Sequence, residues 1–191
     1  MIRLGSPIQG DESWASWSVL AFANAPAELH PERHHGADTR GVRFALQQYG
    51  PFGVVIDTIS SGNATSSFDR TEFDSNVDSG INALGLGTIT GINSVTVTDS
   101  VASNNGSQGF FANSTAGAGG IVNMTLTRSL VVDNAVGVEA QGTNATIWLA
   151  QSTVTGNGSG YLASGGTLNT FGDNYIANGG NSGSLTPVSK Q

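Results

Sequence analysis

Three groups of residues have the types and spacing that could do chemistry. The stretch ELHPERHHGAD, residues 28–38, sets His30, His34 and His35 beside Glu28, Glu32 and Asp38. Imidazole and carboxylate in that mixture could ligate a divalent metal. Pro31 disfavours helix at His30 and so spoils an i, i+4 pair, and a solvated loop accounts for the same residues. Asp69, Glu72, Asp74 and Asp78 lie close together and offer oxygen ligands suited to calcium, or simply an acidic solvated face. Arg128, with Asp99, Asp133 and Glu139, could act on a uronate polymer: the arginine takes a proton beside the uronate carboxylate, and calcium-bound acids hold that carboxylate. No histidine falls after residue 35 to complete a second cluster.

The elements that must position these groups follow from composition and repetition. The chain has 191 residues, 38% hydrophobic and only 11% charged, with 27 glycines. A helical bundle needs more Glu, Lys and Arg on its exposed faces, so the composition argues for strands and turns. The formal charge of −7 includes a single lysine and offers no basic stripe, which excludes nucleic acid as an expected partner. Zero cysteines exclude disulfides, thiolate zinc sites and cysteine nucleophiles. No apolar run reaches the length of a membrane-spanning helix. Four of five prolines and all three histidines precede residue 52, and the next proline is Pro187. Residues 1–52 are therefore expected to form an irregular N-terminal segment or cap, 53–182 a uniform array, and 183–191 a tail.

That array repeats. FDRTEFDSN from Phe68, VTDSVASNN from Val97 and LTRSLVVDN from Leu126 align at a spacing of 29; LAQSTVTGN from Leu149 and FGDNYIANG from Phe171 follow at 23 and 22. Counting the first residue as offset 0, apolar residues recur at offsets 0 and 5, Thr, Ser or Asn at offset 3, and asparagine at offset 8 through Asn76, Asn105, Asn134 and Asn157, with Gly179 in the last copy. A second motif follows each asparagine: GINA at Gly80, GFFA at Gly109, GVEA at Gly137 and GYLA at Gly160. Neither a helical period nor a long alternation fits, whereas short strands between tight bends do. Glycine, asparagine and serine at the breaks are expected to supply the left-handed conformations of the bends. Stacked strands then place like residues on like, and proline is missing because it would delete a ladder donor.

The offset pattern resembles that of the bacterial right-handed parallel β-helix repeat-containing protein family. The resemblance implies an all-β, right-handed parallel β-helix of about five coils, secreted or periplasmic, in a fold that hosts polysaccharide lyases, glycoside hydrolases, adhesins and proteins without known activity. GVVI from Gly53 matches the second motif, so the array enters halfway through a coil. GVRFALQQYG, residues 41–50, is expected to form an amphipathic helix over that end. SWSVLAFANA, residues 16–25, is a short apolar run ending in an Ala-x-Ala site, as secretory signals do, although Asp11 and Glu12 precede it where positive charge is wanted.

Offsets also say what points outward. Offset 2 stacks Arg70, Asp99 and Arg128, an alternation that reads as an exposed salt-bridge ladder worth about 0–1 kcal/mol per pair. The expected outward apolar residues Val101, Leu130, Val132 and Tyr175 make a candidate contact surface for sugar rings, for a second subunit or for the N-terminal segment, and Trp148 either extends it or packs under the neighbouring loop. Thr96, Thr98, Thr125 and Thr127 form two Thr-x-Thr ranks, as in ice-binding solenoids, which Trp148 and Ala150 interrupt in the next coil. The chain lacks the arginine and calcium motifs of pectate lyases and the paired aspartates of polygalacturonases. The expectation is therefore a noncatalytic extracytoplasmic scaffold that binds polysaccharide or a cell-surface glycan and needs no cofactor. A polysaccharide-cleaving lyase, for which calcium would be the cofactor, and a truncated array without activity of its own are the alternatives.

Overall fold

The computed structural model describes residues 17–20, 45–47, 52–58, 63–85, 91–115 and 119–189. All regular structure among them is strand. The chain enters through β1 (Trp17–Leu20), β2 (Ala45–Gln47) and β3 (Val54–Thr58). Four three-strand coils follow: β4 (Ala64–Asp69), β5 (Glu72–Asp74) and β6 (Ile81–Leu84); β7 (Ile92–Thr98), β8 (Val101–Ser103) and β9 (Gln108–Asn113). The third coil is β10 (Ile121–Thr127), β11 (Leu130–Val132) and β12 (Val136–Gln141), the fourth β13 (Ala145–Ala150), β14 (Thr153–Thr155) and β15 (Ser159–Ser164). A last partial coil comprises β16 (Thr167–Thr170), β17 (Tyr175–Ala177) and β18 (Leu185–Pro187).

Corresponding strands of successive coils pair side by side and build three six-stranded sheets. The first contains β4, β7, β10, β13, β16 and β18; the second β2, β5, β8, β11, β14 and β17; the third β1, β3, β6, β9, β12 and β15. Neighbours are parallel throughout, apart from the antiparallel pair of β1 and β3. The molecule is thus a parallel β-helix. Residues 45–47 of the expected amphipathic helix form strand β2, parallel to β5, with Leu46 opposite Phe73. These three residues belong to a short strand of the preceding coil, not to a helix. Part of the apolar run at 16–25 supplies β1.

Inside the coils a continuous core runs from Val54 and Ile56 to Leu168, and alternate residues of each long strand enter it, as in Val122, Met124 and Leu126 of β10. Phe73 meets Phe68 and Phe110 edge to face, at centroid distances of 5.5 and 5.8 Å.

Two bends per coil decide whether such a stack can exist, because each leaves buried backbone groups without a strand partner. At the first bend the backbone is left-handed at Arg70, Asp99, Arg128 and Gln151, with φ of 48–51°. The next residue repays this. Ser129 Oγ donates to the carbonyl of Thr127 at 3.0 Å and accepts the amide of Ser100 in the preceding coil at 3.3 Å; Ser100 and Ser152 repeat the arrangement. At the second bend the left-handed positions are Ser75, Asn104, Asp133 and Gly156. There the buried asparagines form a ladder: Asn76, Asn105 and Asn134 each donate both the backbone and the side-chain N–H to Oδ1 of the asparagine in the next coil, at 2.7–3.2 Å.

The glycines of the second motif do something other than expected. Gly80, Gly109, Gly137 and Gly160 have no positive φ. A Cβ on Gly109 would lie 2.8 Å from both the carbonyl oxygen of Gly137 and Cγ1 of Val131, so these residues are glycine because successive coils touch there.

The last coil departs from the aligned copy. Thr170, not Phe171, stands opposite Leu149, and Asp173 is an extra residue whose carboxylate accepts the amide of Gln151 at 3.0 Å. Asn178 carries the ladder in place of Gly179, accepting from Asn157 Nδ2 at 3.4 Å. Two of the strand edges at this end are blunted. Asn181 Oδ1 accepts the amides of Gly160 and Tyr161 at the β15 edge. Val188 N–H faces back to Thr170, so Pro187 turns its donorless side outward on β18.

Asn134→Ala removes one rung and leaves buried partners unpaired, at about 1–3 kcal/mol for each orphaned group. Gly109→Ala should destabilise by about 1–3 kcal/mol through overpacking. Gly179→Ala, with open space around its Cβ, should be close to neutral. Urea unfolding of the three variants measures the order.

Candidate functional surface

The charged residues come first because catalysis would need them together. Arg128 leaves the first bend and clamps Asp99 of the preceding coil with both a 2.7 Å bond from Nε and a 2.8 Å bond from a terminal nitrogen. Arg70 turns instead to Asp69 beside it, at 3.0 Å. The expected alternation thus yields one bidentate pair between coils and one pair within a coil. The hydrogen bonds from Arg128 hold the Asp99 carboxyl below its usual range against a desolvation penalty, with the charges of Arg128 and Arg70 adding to the lowering. Reciprocally, Asp99 holds the Arg128 guanidinium more firmly protonated. A proton-accepting arginine needs the opposite.

Asp133 sits at the second bend, exposed, across β11 from Arg128. Glu139 is on the third sheet, only 5% exposed, where Oε2 accepts from Gln108 Nε2 at 2.6 Å and Oε1 from Ser164 Oγ at 3.1 Å. The four acid–base candidates therefore occupy a first bend, a second bend and a sheet face, and only Arg128 and Asp99 meet.

Of the metal candidates, Asp69 is taken by Arg70, and Asp78 accepts from Ser79 Oγ at 3.1 Å. Asp74 feels burial, which raises its pKa, but the hydrogen bonds from Asn104, Ser103 and Ser75 outweigh it and the net shift is downward. Glu72 is exposed on β5. No three His, Asp or Glu side chains among the described residues gather to hold a metal ion. His30, His34 and His35 lie outside the described residues.

The candidate contact residues divide between two faces. Val101, Leu130 and Tyr175 share one outward column of the second sheet, interrupted by Thr153 and begun by Glu72; Val132 lies in the adjoining column with Ser103 and Thr155. Leu130 is 38% and Tyr175 64% exposed. Trp148 belongs to the first sheet, around the bend from that strip, between Thr125 above and Asn169 below. Counting offsets gives inward or outward correctly but does not say on which of three faces a residue lies.

Two polar features escape the repeat pattern. Gln108 links coils on the third sheet, accepting from Ser79 Oγ at 2.8 Å while donating to Glu139. Asn93 points into the core and donates to the carbonyls of Ile56 and Leu84, at 2.9 and 3.2 Å. Its register mates are Ala64 and Val122, and an asparagine in an otherwise apolar column is the signal that would have found it.

Among the described residues no helix is long and apolar enough to cross a membrane. No family model, curated protein or solved structure matches the chain.

Because Asp99 is held ionised in the fold, its contribution is present above the ordinary carboxylate range and lost as pH falls through the depressed folded value. The thermal midpoints of the protein and of Arg128→Gln should therefore differ near neutral pH and converge in strong acid. They should also converge in molar salt, since the pair is exposed. Differential scanning calorimetry across pH and salt checks both.

Proposed function

We propose that the chain is a noncatalytic extracytoplasmic scaffold that binds polysaccharide, one of the bacterial right-handed parallel β-helix repeat proteins. The observation that supports this reading is the chemistry of the open sheet faces: hydroxyl and amide side chains around Trp148 on one, Leu130 and Tyr175 on the other, with both described arginines already paired to aspartates. Sugar rings present apolar C–H faces and hydroxyl edges, which such a surface matches. The distribution of acidic and basic groups favours binding over cleavage, since Arg128 is locked to Asp99 and Glu139 is held by Gln108 and Ser164.

Native electrophoresis through gels containing dissolved polysaccharide tests the proposal. The protein should be retarded by at least one polymer. Incubation with polyuronates and calcium should give no rise in the absorbance of unsaturated products. A rise in that absorbance would replace the scaffold with a lyase, and unaltered mobility in every polymer would remove glycan binding altogether.

A further inference from the structure

Resting on the reading of the chain as a polysaccharide-binding scaffold, we infer that the binding face is the outer face of the first sheet and that its ligand is a neutral polysaccharide stacked on Trp148.

The first sheet is the widest of the three. β7 and β10 are seven residues long, against three for the strands of the second sheet. At about 3.3 Å per residue they span about 20 Å, room for a sugar chain that the second sheet does not have. Trp148 stands near the centre of this face. Its outward neighbours along the strand are Thr146 and Ala150, and Trp148 is itself partly exposed. Thr125 and Asn169 flank it in the adjoining strands, about 4.8 Å away across the ladder, and so lie beside the edge of any ring stacked on it.

The hydrogen-bonding groups here are free, unlike those at the bends. The side chains of Asn123, Thr125, Thr127, Thr146 and Asn169 make no hydrogen bond to the protein, and neither does the Trp148 indole N–H. By contrast, the serines and asparagines at the bends are consumed by the ladders, and Gln108 and Glu139 by each other. An ordered array of unspent donors and acceptors around one aromatic ring is the chemistry that recognises a pyranose.

Charge selects the class of glycan. The outward residues of the first sheet from β7 to β16 include no acid or base. The two described arginines nearest to it, Arg70 and Arg128, are each spent on an aspartate. A uronate or sulfate group would find no unspent cation on this face and would lie close to Asp69 and Asp99. A neutral chain loses nothing by binding there.

The test titrates the full chain with a neutral β-glucan, a neutral mannan and two polyuronates, by affinity electrophoresis and calorimetry. A neutral polymer should bind and the polyuronates should not. Trp148→Ala should weaken binding about tenfold or more, the scale expected for losing one stacked ring. Thr125→Val, which removes a hydroxyl and keeps the shape, should weaken it measurably and guards against a fold defect in the tryptophan variant. Val77→Ser, at the exposed second bend, should bind as the parent does. If the polyuronates bind, or if Tyr175→Ala abolishes binding while Trp148→Ala does not, this assignment is overturned and the scaffold reading survives. If no polymer of either class binds, both fall.

Discussion

Every coil must turn two corners, and at each corner buried backbone groups lose their strand partners. The hydrogen bonds that satisfy them come from side chains one coil away: serine hydroxyls at the first bend and asparagine amides at the second. Each rung thus ties two coils together while completing one of them. Asn76 shows the same dependence from the other side, since its Oδ1 is buried and has no donor among the described residues. A buried acceptor left unpaired costs about 1–3 kcal/mol, so the ladder gains most from being long.

The rest of the architecture follows from those corners. Left-handed backbone at Arg70, Asp99 and Arg128 costs about 1–2 kcal/mol each, a strain the neighbouring hydroxyl bonds offset, and it throws the charged side chains outward at the corner instead of across a face. That geometry allows the Asp99–Arg128 pair by stacking the two side chains at strand spacing, although Arg70, stacked on Asp99 from the other side, pairs with Asp69 instead. The close approach at Gly80, Gly109 and Gly137 is a second consequence, because the tight second bend presses one coil's glycine against the next coil's carbonyl; at Gly160 the side chains of Asn181 and Asn178 take that place. With polar chemistry concentrated at the bends, the flat outer faces are left to hydroxyls, amides and a few apolar groups, and those faces are where recognition can happen.

Much of this was legible in the sequence because the constraint is periodic. Val97, Ser100, Ala102 and Asn105 are buried as their offsets require, and so are their counterparts in the next two coils. The reading slipped where periodicity broke. Asp173 adds a residue to the last first bend, which displaced Thr170 by one, and the second bend is one residue shorter between Ile176 and Asn178, which displaced Asn178. Residues 45–47 looked helical because a three-residue strand carries too few positions to distinguish its period from that of a helix. The glycines were read as turn formers because composition reports that a side chain is missing, not why. The surface was the least legible part. Sequence spacing put Trp148 outward with Leu130 and Tyr175, but which sheet holds a residue depends on the angle of the bend between them. The Gln108–Glu139 link joins residues of unrelated type and repeats in no other coil.

Native-state hydrogen exchange tests the dependence on the ladders most directly. The backbone amides of Asn105 and Asn134, which donate to asparagine Oδ1 rather than to a strand, should be among the slowest in the molecule and should exchange only through global unfolding. If they exchange as fast as the amides of the edge strand β17, the bends are not what holds the coils together, and the account fails.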